Sequence, residues 1–136
     1  MATLDPLQVL DIRLTPDERA GLTTFVDRLR QRYGDDLLRV RLFGSKARGD
    51  YRDESDLDLL VVLRMEQGDY RRHWNGLVDL AWDIQLAYGI IISFILRDET
   101  NYAKMQRDQL LLARNIERDG VDLWTMRLNA PTFEPA

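Results

Sequence analysis

The sequence predicts an α/β fold with a small central sheet and helices packed on it. Apolar residues recur every three or four positions in some segments, and they alternate or run continuously in others. These segments follow the order helix, strand, short helix, strand, helix, strand and helices, which is typical of an α/β domain. Glycines stand at most of the changes of period, where helices and turns are expected to end.

Length and composition favour one globular domain over residues 1–136, with a core from about 16 to 124 and a tail from 125 to 136. The chain is 45% apolar and 31% charged, and it contains no cysteine, which excludes disulfides and thiolate metal sites. A net charge of −4 argues against an extended nucleic-acid-binding surface. We see no signal peptide and no membrane span, so we expect a cytoplasmic protein.

The first long helix is predicted from Pro16 to just before Gly34, because Thr15 and Glu18 form a capping-box pattern around Pro16. Its apolar stripe comprises Leu22, Phe25, Val26, Leu29 and Tyr33. Upstream, the residues from Asp5 to Leu10 could form a short helical turn.

A strand from Leu37 to Phe43 runs into a glycine-serine turn. Ser45 is a good N-cap for one helical turn through Arg48, and Gly49 is a good stop. A strand that enters a helix N-terminus through a glycine directs backbone N–H groups outward, where they can hold phosphate. We expect Lys46 on this turn to face solvent.

A second strand is predicted from Leu57 to Leu63, after a loop over residues 50–55. Asp56 and Asp58 are two residues apart at its start, so both side chains point to the same face. Two carboxylates beside a phosphate-binding turn are suited to Mg²⁺ and a nucleoside triphosphate.

The next helix is predicted from Gly68-Asp69 to Tyr88, ending at Gly89. Its main stripe comprises Tyr70, Trp74, Leu77, Ala81, Ile84 and Tyr88. Three further apolar residues lie off that stripe, namely Leu80, Trp82 and Leu86. A helix that is apolar on several sides indicates either a deep core position or a surface for a partner.

The remaining elements are a buried strand from Ile90 to Leu96 and a helical region from Asp98–Thr100 to Asp119 with a break near Arg107. A short extended segment, Val121–Trp124, follows. The apolar side of the helical region is expected at Tyr102, Met105, Leu112 and Ile116. Residues 125–136 have no periodicity and are interpreted as a mobile tail or a partner-docking arm.

The spacing G-S, A-R-G and S-D-x-D-L between Gly44 and Leu59 resembles the polymerase-β-like nucleotidyltransferases. Within them it is similar to the minimal nucleotidyltransferases (MNT), which are often paired with a HEPN protein. The resemblance covers about residues 16–124 and implies a mixed sheet. It implies that Gly44 and Ser45 hold the triphosphate and that Asp56 and Asp58 are the catalytic, Mg²⁺-binding residues. The local alternative is a tight turn with solvated acids.

Active members of this family carry a third carboxylate on the next core strand, where this chain has only Ser93 as a polar residue. Serine is a poor Mg²⁺ ligand and no general base. The acids that could substitute, or that are ordinary surface and capping residues, are Asp79, Asp83 and Asp98. Arg48 is interpreted either as a phosphate ligand or as a clamp onto a carboxylate, and His73 as a surface residue.

Two classes of function follow from this resemblance. The first is an enzyme that transfers a nucleotide, AMP from ATP, to a hydroxyl of a partner protein, as the antitoxin of a HEPN/MNT pair. The second is a weak or inactive nucleotide-binding subunit that acts by protein binding. Both imply a partner, either a small helical HEPN-type protein or a further copy of this chain. Because of Ser93, we expect weak transfer by the isolated protein.

Overall fold

The computed structural model describes residues 14–49 and 56–125. Its elements are α1 (Pro16–Tyr33), β1 (Leu37–Phe43), α2 (Ser45–Arg48), β2 (Leu57–Leu63), α3 (Tyr70–Tyr88), β3 (Ile92–Asp98), α4 (Glu99–Arg107), α5 (Leu111–Asp119) and β4 (Val121–Thr125). Short 3₁₀ turns precede β1 and α3. The predicted turn over Asp5–Leu10, the loop 50–55 and the tail beyond Thr125 lie outside the described residues.

The four strands form one sheet in the order β3-β2-β1-β4. β1 is antiparallel to β2 and β4, whereas β3 is parallel to β2. The parallel pair requires a crossover connection, which α3 supplies. The α/β class and the mixed sheet expected from the sequence are therefore confirmed.

The start of α1 follows its capping box. Thr15 Oγ1 accepts a hydrogen bond from Glu18 N at 3.0 Å, and Glu18 Oε1 accepts one from Thr15 N at 2.9 Å. These two hydrogen bonds satisfy the backbone N–H groups of Thr15 and Glu18, which a helix start otherwise leaves unpaired. Gly34 follows the helix with a φ of +52°, a conformation that favours glycine.

The sheet is covered on both faces, so β2 is apolar at nearly every position. Alternate residues of β2 from Leu57 to Leu63 pack with α1 and α3 in the larger core. The residues between them, Leu60 and Val62, pack with α4 and α5 in a smaller core. Asp58 therefore lies on the α4 and α5 face of the sheet, in line with Leu60.

Five details differ from the sequence prediction, and one of them is that β3 ends at Asp98 rather than at Leu96. β3 begins at Ile92 rather than Ile90, because the Gln85 side chain accepts a hydrogen bond from Ile92 N at 2.7 Å and pairing with β2 starts there. β4 ends one residue later than predicted, at Thr125. Leu112 is exposed, since α5 turns Ala113 and Ile116 toward the core. Tyr70 and Trp74 are also partly exposed, at the end of α3 that extends past the core.

No helix among the described residues combines the length and the apolar character that crossing a bilayer requires.

Candidate active site

The glycine-serine turn and the first aspartates of β2 meet because of the register between β1 and β2. Phe43 at the end of β1 pairs with Asp58, so Gly44 lies directly beside the Asp58 side chain. A Cβ added at Gly44 would overlap the Asp58 carboxylate, and Gly44 also has a φ of +80°. Glycine is therefore required here both by the backbone conformation and by the close approach.

Ser93 joins this pair from β3. It lies opposite Asp58 in the parallel register, and its Oγ donates a hydrogen bond to Asp56 Oδ2 at 3.2 Å. Asp56, Asp58 and Ser93 thus lie together at one end of the sheet. The alternation of strand side chains predicted the shared face of Asp56 and Asp58, whereas the position of Ser93 beside them follows from the pairing of β2 with β3. The place that the family resemblance gives to a third carboxylate holds a hydroxyl.

The two aspartates repel one another. Burial raises the pKa of the Asp58 carboxyl above its ordinary value of 3.8, and the charge of Asp56 raises it further, while Arg48 opposes the rise. Among the described residues, burial and the charge of Asp56 thus outweigh the charge of Arg48 at Asp58. Such a site gains from a bound cation, which fits the residue types that Mg²⁺ prefers.

Lys46 does not face solvent, so its sequence prediction is wrong. Its side chain is 1% exposed, and its Nζ lies 3.0 Å from Glu18 Oε1 on α1. A buried lysine is uncommon unless it is paired, and the partner here is remote in sequence. Nothing in the spacing of the turn could indicate that pairing, although Glu18 was recognisable as part of a capping box.

Arg48 lies at the open edge of the site. Its Nη1 is 4.0 Å from Asp119 Oδ2 at the end of α5, and its side chain is 39% exposed. Its charge also acts on Asp58. Both interpretations of Arg48 thus remain, since it lies near the Asp119 carboxylate and at the end of the glycine-serine turn.

The other candidate acids lie elsewhere. Asp98 is the N-cap of α4 and accepts a hydrogen bond from Asn101 N at 2.6 Å. It is five residues beyond Ser93 on β3, which corresponds to about 16 Å along a strand. Asp79 and Asp83 are exposed on α3, which covers the opposite face of the sheet. His73 packs edge-on against the Tyr33 ring at 5.5 Å.

Among residues 14–49 and 56–125, these positions bring together two carboxylates and a hydroxyl as candidate metal ligands. Within the described ranges, no group of three or more His, Cys, Asp or Glu side chains is arranged to hold a metal ion. The two aspartates nevertheless fit a divalent cation that also binds triphosphate oxygens, because Mg²⁺ is usually held by one or two carboxylates plus phosphates.

A separate cleft of about 420 Å³ lies near the opposite end of β2, lined by Val62, Arg64 and Tyr102 among others. Burial and the Glu117 carboxylate beside it raise the pKa of Tyr102 to about 12, so its hydroxyl stays protonated at neutral pH. This cleft contains no pair of facing carboxylates. The chemistry of phosphate and metal binding therefore points to the end of β2 that carries Asp56 and Asp58.

Comparison with known proteins gives the family of this chain. The sequence profile of the nucleotidyltransferase domain matches residues 22–122. A candidate protein adenylyltransferase of Methanocaldococcus jannaschii, MJ0604, is 35% identical over 88 residues, covering 65% of this chain and 81% of the relative. A second candidate protein adenylyltransferase of that organism, MJ1305, is 41% identical over 76 residues, covering 55% of this chain and 51% of the relative.

Among solved structures, the fold is similar to that of a candidate nucleotidyltransferase from Sulfolobus solfataricus. The TM-score is 0.51 at 21% identity, with 91% of this chain and 90% of that chain covered. A chain from a toxin–antitoxin structure with AMP-PNP has a TM-score of 0.49 at 18% identity, covering 75% of this chain and 72% of that chain. On the profile match and the MJ0604 relative, this chain belongs to the polymerase-β-like nucleotidyltransferase domain family.

Proposed function

We propose that this chain binds ATP with Mg²⁺ at Gly44, Ser45, Asp56 and Asp58 and transfers AMP to a hydroxyl of a partner protein. The observation that carries the proposal is Asp58 directly against Gly44 at the end of β1, with the charge of Asp56 acting on the Asp58 carboxylate. A relative that is 35% identical is named a candidate protein adenylyltransferase, which supports AMP as the nucleotide and a protein as the acceptor.

Asp56 and Asp58 are the residues that would hold the metal. Members of the family typically use a divalent metal, and carboxylate oxygens make Mg²⁺ the expected ion. When bound, Mg²⁺ neutralises triphosphate charge. The backbone N–H groups at Gly44 and Ser45 would contact phosphate oxygens, and the absence of a side chain at Gly44 leaves room for the close approach.

The proposed reaction is a displacement at the α-phosphorus of ATP. The acceptor oxygen forms a bond to that phosphorus, the bond to the bridging oxygen of pyrophosphate breaks, and the acceptor proton passes to a carboxylate or to water. Arg48 is placed to balance the charge of the leaving pyrophosphate. The chain itself holds the triphosphate, while the partner protein supplies the acceptor.

Ser93 favours a second candidate function. Its hydroxyl lies opposite Asp58, where the family resemblance implies a third carboxylate, and a hydroxyl is a weak Mg²⁺ ligand. A chain with this site would bind Mg-ATP but deprotonate an acceptor poorly. In that case it acts as a catalytically weak or inactive nucleotide-binding subunit, whose effect comes from binding a partner.

The partner is proposed to be a small helical protein of the HEPN type, as the antitoxin interpretation implies, or a second copy of this chain. α3 offers a surface for either, because Trp82 is 60% exposed and Leu86 is 69% exposed. Large apolar side chains next to one another on a surface commonly mark protein interfaces. The cytoplasmic location remains a prediction from the sequence.

Calorimetry with Mg-ATP tests the binding site. We expect binding to the wild-type chain, loss of binding without Mg²⁺, and loss of binding in Asp56→Asn/Asp58→Asn. The matched control is Asp79→Asn/Asp83→Asn, which removes the same charge from exposed positions on α3 and should bind normally. Equal affinity in the wild type and in the first double variant would overturn the proposal.

A transfer experiment separates the two candidate functions. The protein is incubated with Mg-ATP and its co-encoded partner, and the partner is then analysed by mass spectrometry. An added AMP on a partner hydroxyl, absent with Asp56→Asn/Asp58→Asn, supports the enzyme. Mg-ATP binding without any transfer supports the binding subunit.

A further inference from the structure

We infer that Lys46 and Glu18 are positioning residues, which tie the glycine-serine turn to the start of α1 and so fix the place of Gly44 and Ser45. The effect on nucleotide affinity rests on the proposed function above. The tether itself is a property of the folded chain and can be measured without any nucleotide.

The pair is buried and its geometry is direct. Lys46 Nζ lies 3.0 Å from Glu18 Oε1, and the two residues are 1% and 6% exposed. The same Glu18 oxygen accepts a hydrogen bond from Thr15 N at 2.9 Å. One carboxylate oxygen thus joins the first residues of α1 to the turn that follows β1, although the residues are 28 positions apart in the chain.

The turn needs such an anchor because it is too short to hold its own shape. α2 has four residues, with hydrogen bonds from Arg48 N to Gly44 O at 3.0 Å and from Gly49 N to Ser45 O at 2.8 Å. Helices of this length do not persist without tertiary contacts. Ala47 also packs in the core, and the pair of Lys46 with Glu18 adds a direct bond from the turn to α1.

The ion pair restrains the orientation of the turn relative to α1. A charged hydrogen bond restrains both distance and angle, so Lys46 limits how far the turn can rotate about its junction with β1. Stability alone does not account for the pair, since apolar residues of similar volume often replace a buried ion pair without loss of stability. The expected gain is a fixed position for the backbone at Gly44 and Ser45.

The test compares the wild type with Glu18→Gln/Lys46→Met, which removes both charges together and retains an acceptor for Thr15 N. Amide hydrogen exchange is followed at Arg48 and Gly49, whose N–H groups close the turn. We expect exchange at these two amides to rise about 10-fold while the thermal midpoint stays within about 5 °C of the wild type. Asp17→Asn, an exposed acid in the same first turn of α1, is the matched control and should change neither quantity.

Calorimetry with Mg-ATP then measures the consequence for the site. We expect the dissociation constant of the double variant for Mg-ATP to be about 10-fold above that of the wild type. Lys46→Arg keeps the positive charge, so its dissociation constant should lie between those two values. If the wild type does not bind Mg-ATP, the proposed function is wrong. The hydrogen-exchange measurement still tests whether the pair of Lys46 and Glu18 holds the turn in place.

Unchanged exchange at Arg48 and Gly49 in a folded double variant would overturn the inference. If that variant does not fold, Glu18→Gln/Lys46→Gln is the second test, because it also removes both charges and keeps a side-chain acceptor for Thr15 N. It should raise exchange at the same amides about 3-fold. No rise in that variant would overturn the inference equally.

Discussion

Two carboxylates flank the glycine-serine turn, and their surroundings within the folded chain are opposite in charge. Glu18 is buried against Lys46 and against the backbone N–H of Thr15, so its charge is met within the fold. Asp58 instead faces a second carboxylate, Asp56, and its pKa is raised by burial and by that neighbour. The first carboxylate is paired within the chain, whereas we propose that the second is paired by a bound cation. Only the second should respond to metal.

The largest effect on stability is expected from breaking the pair of Glu18 and Lys46. Glu18→Ala leaves Lys46 buried without its carboxylate and also removes the capping contact to Thr15 N, so we expect a loss of about 3–5 kcal/mol in the free energy of unfolding. Urea denaturation measures it, and the loss should be the same with and without Mg²⁺. Asp17→Ala on the same turn should change stability by less than about 0.5 kcal/mol. A similar small loss for Glu18→Ala would contradict the comparison.

The same contrast explains what the sequence could predict. Asp56 and Asp58 share a face because strand side chains alternate, which is a local rule, and the structure places them together. The caps at Thr15 and Gly34 are local as well. The burial of Lys46 depends on a residue 28 positions away, and no periodicity within the turn carries that information.

The start of β3 shows the same limit. Ile90 and Ile91 continue the apolar run of the strand, so composition alone extends it to Ile90. Pairing with β2 begins only at Ile92, where the Gln85 side chain from α3 takes the backbone N–H. The roles of Gly44, Ser45 and Arg48 toward phosphate remain predictions, because they depend on a ligand.

A second prediction adds a carboxylate to the incomplete site. In Ser93→Asp, the new side chain lies opposite Asp58 and beside Asp56, where it can bind metal and accept the acceptor proton. General-base assistance is worth about 10²–10⁴-fold in rate, so we expect AMP transfer to the partner to rise at least about 10-fold. Ser93→Asn, which has a similar size without the charge, is the control. Robust wild-type transfer that Ser93→Asp leaves unchanged would refute the argument.

A third prediction concerns the pH dependence of the metal-free protein. The pKa of Asp58 is raised on folding, so as pH rises through 3.8 the unfolded chain loses this proton first and the folded state is progressively destabilised. Above the raised pKa the destabilisation is complete. Asp58→Asn should therefore raise the thermal midpoint by about 2–4 °C at neutral pH, and by nothing below pH 3.8.

Without metal at neutral pH, we expect Asp58→Asn to have a higher thermal midpoint than the wild type, and a bound divalent metal should reverse this order. Saturating Mg²⁺ is expected to raise the midpoint of the wild type and to leave Asp58→Asn unchanged, because ligands stabilise only the state that binds them. Differential scanning fluorimetry with and without EDTA measures both effects. A higher thermal midpoint for the wild type than for Asp58→Asn, in EDTA at neutral pH, would contradict the prediction that the Asp58 carboxylate destabilises the metal-free fold.

The smallest effect is expected at Arg48, and it decides between the two interpretations of that residue. The contact of Arg48 with Asp119 is long, at 4.0 Å, and the Arg48 side chain is 39% exposed, so this contact should contribute little to stability. Asp119 is held mainly by Arg118, whose hydrogen bond lowers the pKa of the Asp119 carboxyl.

If Arg48 binds phosphate, Arg48→Gln should weaken Mg-ATP binding about 10-fold and change the free energy of unfolding by less than about 0.5 kcal/mol. Asp119→Asn should strengthen binding about 2-fold by releasing Arg48, and that gain should vanish in the Arg48→Gln background, as a double-mutant cycle by calorimetry would show. A gain that persists without Arg48 would mean that Asp119 acts on the phosphate directly through its charge. Lost stability with unchanged affinity in Arg48→Gln would make Arg48 a clamp, and Asp56 and Asp58 would then meet the triphosphate without its help.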